Sequence, residues 1–187
     1  GKSDGAQQTL TPAGFAAAPK RRRLPEDRTE IGRKFRVGEY EGYIHVGVFE
    51  EDGTPGDIFV DIAKDGTTLQ GLMNSLMIAV SMGLQYGVPP EVYVSKLSHL
   101  RFEPSGPTND PDIRTAKSIV DYIFRWFGKK FLTPEQQEEA GILSPQVKAR
   151  LAERYASGDA APAAPAESPP PGQTALFNSW EDAVECA

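Results

Sequence analysis

Two runs of alternating apolar residues meet across one turn, and this pairing limits the folds open to the chain. Ile44, Val46 and Val48 share one side of the first run, and Ile58, Val60 and Ile62 share one side of the second. A period of two marks a half-buried strand. Asp52-Gly53 lies between the runs, a residue pair suited to a tight hairpin. Phe35 and Val37 add a shorter alternation upstream. The pattern predicts three strands within residues 35–63, joined as an antiparallel meander with one buried face.

That face needs a cover, and the next segments supply two helices. Leu69, Leu72, Met73, Leu76, Met77, Val80 and Leu84 recur at helical spacing, with Thr67 or Thr68 as N-cap and Gly87 as the stop. Ile78 and Ala79 widen the stripe, so a largely buried helix is expected over 68–86. Pro89-Pro90 opens a short helix through Val92, Val94 and Leu97. Asp110-Pro111-Asp112 reads as an N-cap followed by proline in the first turn, starting a helix over 111–127 that Gly128 ends. Thr133-Pro134 and Ser144-Pro145 start two polar helices expected outside the core. The predicted class is therefore α+β: a small three-stranded antiparallel sheet packed against helices.

The flanks differ from this centre. Of 187 residues, 39% are hydrophobic, and many of the 18 Gly and 16 Pro sit near the two ends. Residues 1–20 read as a flexible linker closing in Lys20-Arg21-Arg22-Arg23, and 158–172 as a Pro/Ala linker. Both tails are expected to be disordered. Residues 133–157 form a short helical extension between the central domain, 21–132, and that second linker. The net charge of −6 argues against nucleic-acid binding by the chain as a whole. No run of 18 apolar residues occurs, so no membrane span is expected.

Candidate chemistry is sparse. His45 alternates with Tyr43 on the strand face opposite Ile44 and reads as an exposed strand histidine rather than a base. Arg101 and Glu103, after His99, read as a structural ion pair. Met73 and Met77, with Met82 nearby, read as core rather than a soft partner groove. The basic run 20–23 lacks interleaved aromatics and reads as a solvated junction rather than a phosphate grip. Cys186 is the single cysteine. One thiol can neither close a disulfide nor complete a zinc site. No catalytic, cofactor-binding or metal-binding residue is assigned.

A resemblance goes further. Gly56-Asp57-Ile58-Phe59-Val60-Asp61, Gly83-Leu84-Gln85-Tyr86-Gly87-Val88-Pro89, Arg101-Phe102-Glu103-Pro104 and Asp121-Tyr122-Ile123-Phe124-Arg125 occur in succession. With Arg23-Leu24-Pro25 before them, they resemble the C-terminal region of adenosylcobalamin (vitamin B12)-dependent ribonucleotide reductases, and within it the TSCPD domain. Thr108-Asn109-Asp110-Pro111-Asp112 stands where that domain has Thr-Ser-Cys-Pro-Asp. Asp110 thus replaces a cysteine, and a helix-capping role is expected to survive the change.

The resemblance implies a non-catalytic segment of a cytoplasmic oxidoreductase that converts ribonucleoside diphosphates to deoxyribonucleotides for DNA synthesis and repair. The expected partners are the enzyme's catalytic barrel and a thioredoxin-like reductant reached through a Cys-rich tail. Cys186 would at most be the first cysteine of that tail. Adenosylcobalamin would belong to the full-length enzyme, with none bound by this chain. The alternative is a free-standing TSCPD-type interaction or regulatory module without enzyme activity.

Overall fold

The computed structural model describes residues 20–63 and 67–156, the Thr67 side chain excepted. Residues 1–19, the Pro/Ala stretch 158–172 and Cys186 lie outside the described residues. Two compact units divide the chain, Gly1–Lys148 and Ala149–Ala187.

Three strands form the expected meander: β1 (Thr29–Val37), β2 (Tyr40–Val48) and β3 (Pro55–Ile62), in the order β1-β2-β3. The register places Ile44 opposite Val60 and Val46 opposite Ile58. The six alternating residues are all buried, joined by Phe35 and Val37. β1 begins earlier than its apolar pattern announces. Its first half, Thr29–Lys34, is mostly polar and is held by pairing with β2 from Thr29↔Val48 onward.

Helix α1 (Thr67–Gln85) covers β3. Met73, Met77, Val80 and Leu84 point into the core. β3 is an edge strand, whose backbone groups need partners, and polar side chains on α1 supply them. Gln70 accepts from the Ile62 N–H and donates to the Val60 carbonyl, both at 2.9 Å. Ser81 accepts from the Ile58 N–H at 2.9 Å, and Gln85 donates to the Gly56 carbonyl at 2.9 Å. The helix thus closes the sheet edge by side chain while its apolar stripe fills the core. Its other face is exposed: Leu72 and Ile78 are 66% and 56% accessible, which corrects the expectation of a largely buried helix.

α2 (Pro90–Leu97) starts at proline as expected and packs on α3 (Ile119–Phe131). The start of α3 departs from the sequence reading. Asp110-Pro111-Asp112 is a turn between two short strands, β4 (Gly106–Pro107) and β5 (Thr115–Ala116). The Asp110 carboxylate accepts from the Asp112 N–H at 2.9 Å, and the Thr108 N–H donates to the Arg114 carbonyl at 2.9 Å. These local bonds satisfy the segment as a turn, so Asp110 caps no helix. The true N-cap is Ser118, whose hydroxyl accepts from the Asp121 N–H. Nor does Gly128 end α3. A Cβ there would sit 2.4 Å from Ile142 Cδ1 and 3.0 Å from Val94 Cγ1, so glycine allows close packing within the helix.

Beyond α3 lie α4 (Pro134–Glu139) and α5 (Pro145–Ala156). Thr133 and Gln136 build a reciprocal capping box at the start of α4. The expectation that this stretch stays outside the core fails at several residues. Ile142 joins the core, and Gln137 is buried, donating to the Leu132 carbonyl at 2.8 Å. Val147 and Ser144 are buried as well.

Candidate functional site

Two buried carboxylates organise the loops around α3. Asp121 is fully buried and accepts from the His99 N–H at 2.7 Å and the Lys117 N–H at 2.8 Å, with Arg125 at 3.5 Å. His99 takes a positive φ of 66°, uncommon for a residue with a Cβ. The Asp121 bond holds it there, while Nε2 donates to the Ala140 carbonyl at 3.0 Å.

Asp110 is also buried. It lies 3.1 Å from Lys129 Nζ and 3.2 Å from Arg33. Burial alone would raise its pKa, but the Asp112 N–H, Lys129 and Arg33 outweigh it and hold the group below the usual carboxylate range. Lys129 also reaches Asp112 at 2.8 Å. Each member of the cluster thus has a structural partner. At Asp57 the balance is opposite. Burial pushes its pKa up, and Arg28 at 3.2 Å together with the Gly47 N–H only partly offsets that.

The other sequence candidates fall apart in space or into structural roles. His45 is half-exposed, stacked on Tyr43 at 6.4 Å, with Nδ1 3.9 Å from Glu30. Glu103 accepts from the Ser105 N–H and hydroxyl at 2.8 Å, replacing the expected pair with Arg101. Met73 and Met77 are core, whereas Met82 is 44% exposed. No group of three metal-ligating side chains occurs among the described residues. No helix among them is long and apolar enough to cross a membrane.

The basic run is docked rather than merely solvated. The Arg22 N–H donates to the Gln85 carbonyl at 2.8 Å, and Arg21 Nε donates to Gln85 Oε1 at 2.7 Å. The Arg22 guanidinium lies 3.6 Å above the Phe49 ring and pairs with Asp52 at 2.7 Å and Glu51 at 2.9 Å. Those bonds raise the Arg22 pKa, and Arg22 with Thr54 holds Asp52 well below the usual carboxylate range. A shallow hollow of about 290 Å³ lies here, lined in part by Arg22, Phe49, Tyr86 and Pro89.

Next to this arm runs the outer face of α1. Leu72, Ile78, Met82 and Tyr86 are 66%, 56%, 44% and 39% exposed. Ser75 and Ala79 complete the face. At 1.5 Å per residue the strip from Leu72 to Tyr86 is about 21 Å long. No Asp, Glu, Lys or Arg occurs from Thr67 to Pro90. A single exposed leucine means little, but these four large apolar side chains form one continuous uncharged strip. The sheet's exposed aromatics differ. Tyr43 and Phe59 share their strands with charged residues, and Lys34 reaches both Tyr43 and Glu41. The sequence reading missed the α1 surface by assigning every apolar residue to the core. The readable signal was the absence of charge.

Comparison with known proteins assigns the chain to a family. A family model described as the TSCPD domain matches residues 15–130. The chain belongs to the TSCPD domain family. Among curated relatives, the vitamin B12-dependent ribonucleotide reductase of Streptantibioticus cattleyicolor is 49% identical over 132 residues, covering 71% of this chain and 22% of that protein. The enzyme of the same name from Streptomyces avermitilis is 49% identical over 132 residues, again 71% of this chain but 14% of that protein. That from Rhodopirellula baltica is 50% identical over 115 residues, 62% of this chain and 11% of that protein. The chain thus spans less than a quarter of the length of each of these relatives. No solved structure matches it.

Proposed function

We propose that this TSCPD segment serves as a non-catalytic C-terminal part of a vitamin B12-dependent ribonucleotide reductase. It supports the catalytic region of the same polypeptide and tethers a redox tail. The observation that carries the reading is the identity of about half to such reductases over most of the chain, joined to a fold whose buried charges all serve as structural clamps.

Reduction of a ribonucleotide to a deoxyribonucleotide takes two electrons and releases the 2′ oxygen as water. A dithiol supplies the pair and ends as a disulfide. This chain has one cysteine, Cys186, which cannot be both members. The cofactor also points elsewhere. The hollows beside Arg22 and beside Gln136, of about 290 and 320 Å³, lie at the lower end for drug-sized ligands, and a corrinoid is larger. Both hollows are small for that group, and in this reading it is held by the remainder of the enzyme.

The stretch 158–172 would act as the tether. Fifteen residues of extended Pro-rich chain reach about 45 Å, comparable to a large domain's diameter. Deleting 158–172 from the enzyme should slow multiple turnover with a thioredoxin-like protein reductant and spare a single turnover of pre-reduced enzyme. Equal loss of both would overturn the tether. The chain alone, given adenosylcobalamin and a dithiol, should form no deoxyribonucleotide. Product formation would overturn the non-catalytic reading.

A further inference from the structure

We infer that the uncharged outer face of α1, built on Leu72, Ile78, Met82 and Tyr86, is where this domain seats against the polypeptide that precedes it, with an apolar counter-surface there as its occupant. The inference rests on the reading of the chain as part of a longer reductase and names the surface which that reading leaves open.

Three observations select this occupant. The first is chain path. Arg21 and Arg22 are bonded to Gln85, in the last turn of α1, so any upstream chain arrives beside Tyr86 and Met82. Residues 1–20 link the docked arm to whatever precedes them, which makes the contact intramolecular and raises its effective concentration.

The second is chemistry. The face offers no charge to a charged partner and no basic residue to a phosphate, but its thioether, aromatic and branched side chains suit the dry centre of an interface. The polar side chains of α1 are already engaged elsewhere. Gln70, Ser81 and Gln85 close the β3 edge, while the exposed Asn74 and Ser75 bond within the helix, to Gln70 and to the Gly71 carbonyl.

The third is length. The relatives that match this chain are more than four times as long as the matched segment, so in them a large body of protein is available to cover the face.

The test uses the full natural polypeptide that contains this chain, as wild type and as Ile78→Glu, Met82→Glu and Phe59→Glu, the last a charge on the exposed sheet face. Small-angle scattering reads docking, and deoxyribonucleotide formation reads function. Melting of the same variants in the 187-residue chain checks folding. The expected result is an enlarged radius of gyration and turnover lowered about tenfold or more for the two α1 variants, with Phe59→Glu close to wild type. Unchanged melting of the short chain excludes misfolding as the cause.

Unchanged scattering in both α1 variants would overturn the inference. So would dimerisation of the short chain that Ile78→Glu abolishes, because the occupant would then be a second copy. A wild type that is compact, opens on Ile78→Glu and yet forms no deoxyribonucleotide would uphold the docking face while removing the enzymatic reading.

Discussion

Helices α1 and α3 each send an apolar stripe into the same core, but they treat the rest of their surface in opposite ways. α3 is buried on nearly every side from Ile119 to Gly128, and its charged residues are used as clamps. Asp121 gathers the backbone of His99 and Lys117, and Lys129 reaches across to Asp110 and Asp112. α1 carries no charge, turns Gln70, Ser81 and Gln85 towards the β3 edge and leaves large apolar side chains in solvent. A helix that completes a domain saturates its own contacts. A helix that waits for a neighbour leaves an unsaturated face. The contrast separates the part of this domain that folds it from the part that joins it to something else.

Neighbouring residues on α1 give the sharpest way to break this contrast. Met77→Asp puts an unpaired charge into the core and should cost at least about 4 kcal/mol, enough to unfold a marginal domain. Thermal melting reads it directly, and an unchanged transition would refute the packing of α1 on the sheet. On α3, Asp121→Ala strips the acceptor from two backbone N–H groups and leaves Arg125 without its buried partner. A loss of about 3–5 kcal/mol in chemical denaturation is expected. A cost near zero would mean that α3 does not depend on its clamp.

Acid should sharpen the comparison at the next level down. Asp110 has its pKa held below the unfolded value near 3.8, so its contribution to stability is complete above that value and is lost as pH falls through the lower folded one. Asp57, with its pKa raised, contributes the opposite sign over an overlapping range. Asp110→Asn should therefore flatten the fall of stability below about pH 4 while lowering stability at neutral pH. An Asn variant with the wild-type acid slope would show that the Arg33–Lys129 bracket is not what stabilises the turn. The smallest effect belongs to the outer face of α1. Ile78→Ser in the short chain should change stability by no more than about 0.5 kcal/mol, as exposed substitutions do.

The strands and the inner stripe of α1 were legible because their apolar residues repeat with the period of the element and nothing competes. Asp110-Pro111-Asp112 misled for a physical reason. The residues that start a helix also close a turn, and here the Asp112 and Thr108 bonds and the ion pairs to Arg33 and Lys129 decide for the turn. Ser118, the real cap, carries a weaker signal than the Asp-Pro pair ahead of it. Gly128 reads as a stop unless Ile142 and Val94 are known to press against it, and that contact joins residues far apart in sequence. The outer face of α1 was hidden because hydropathy cannot tell a residue buried in its own domain from one kept for a neighbour. Charge could have told them apart, since an ordinary surface helix of this length carries some on its outer face.

The most direct test uses the three methionines, all on α1. Met73 and Met77 are 3% and 1% exposed, whereas Met82 is 44% exposed on the outer face. Oxidative footprinting of the short chain should modify Met82 and spare the other two. In the longer reductase that the proposed function implies, the account predicts that Met82 becomes as protected as Met73 and Met77. Equal oxidation of Met82 in the short chain and in that longer reductase would contradict it.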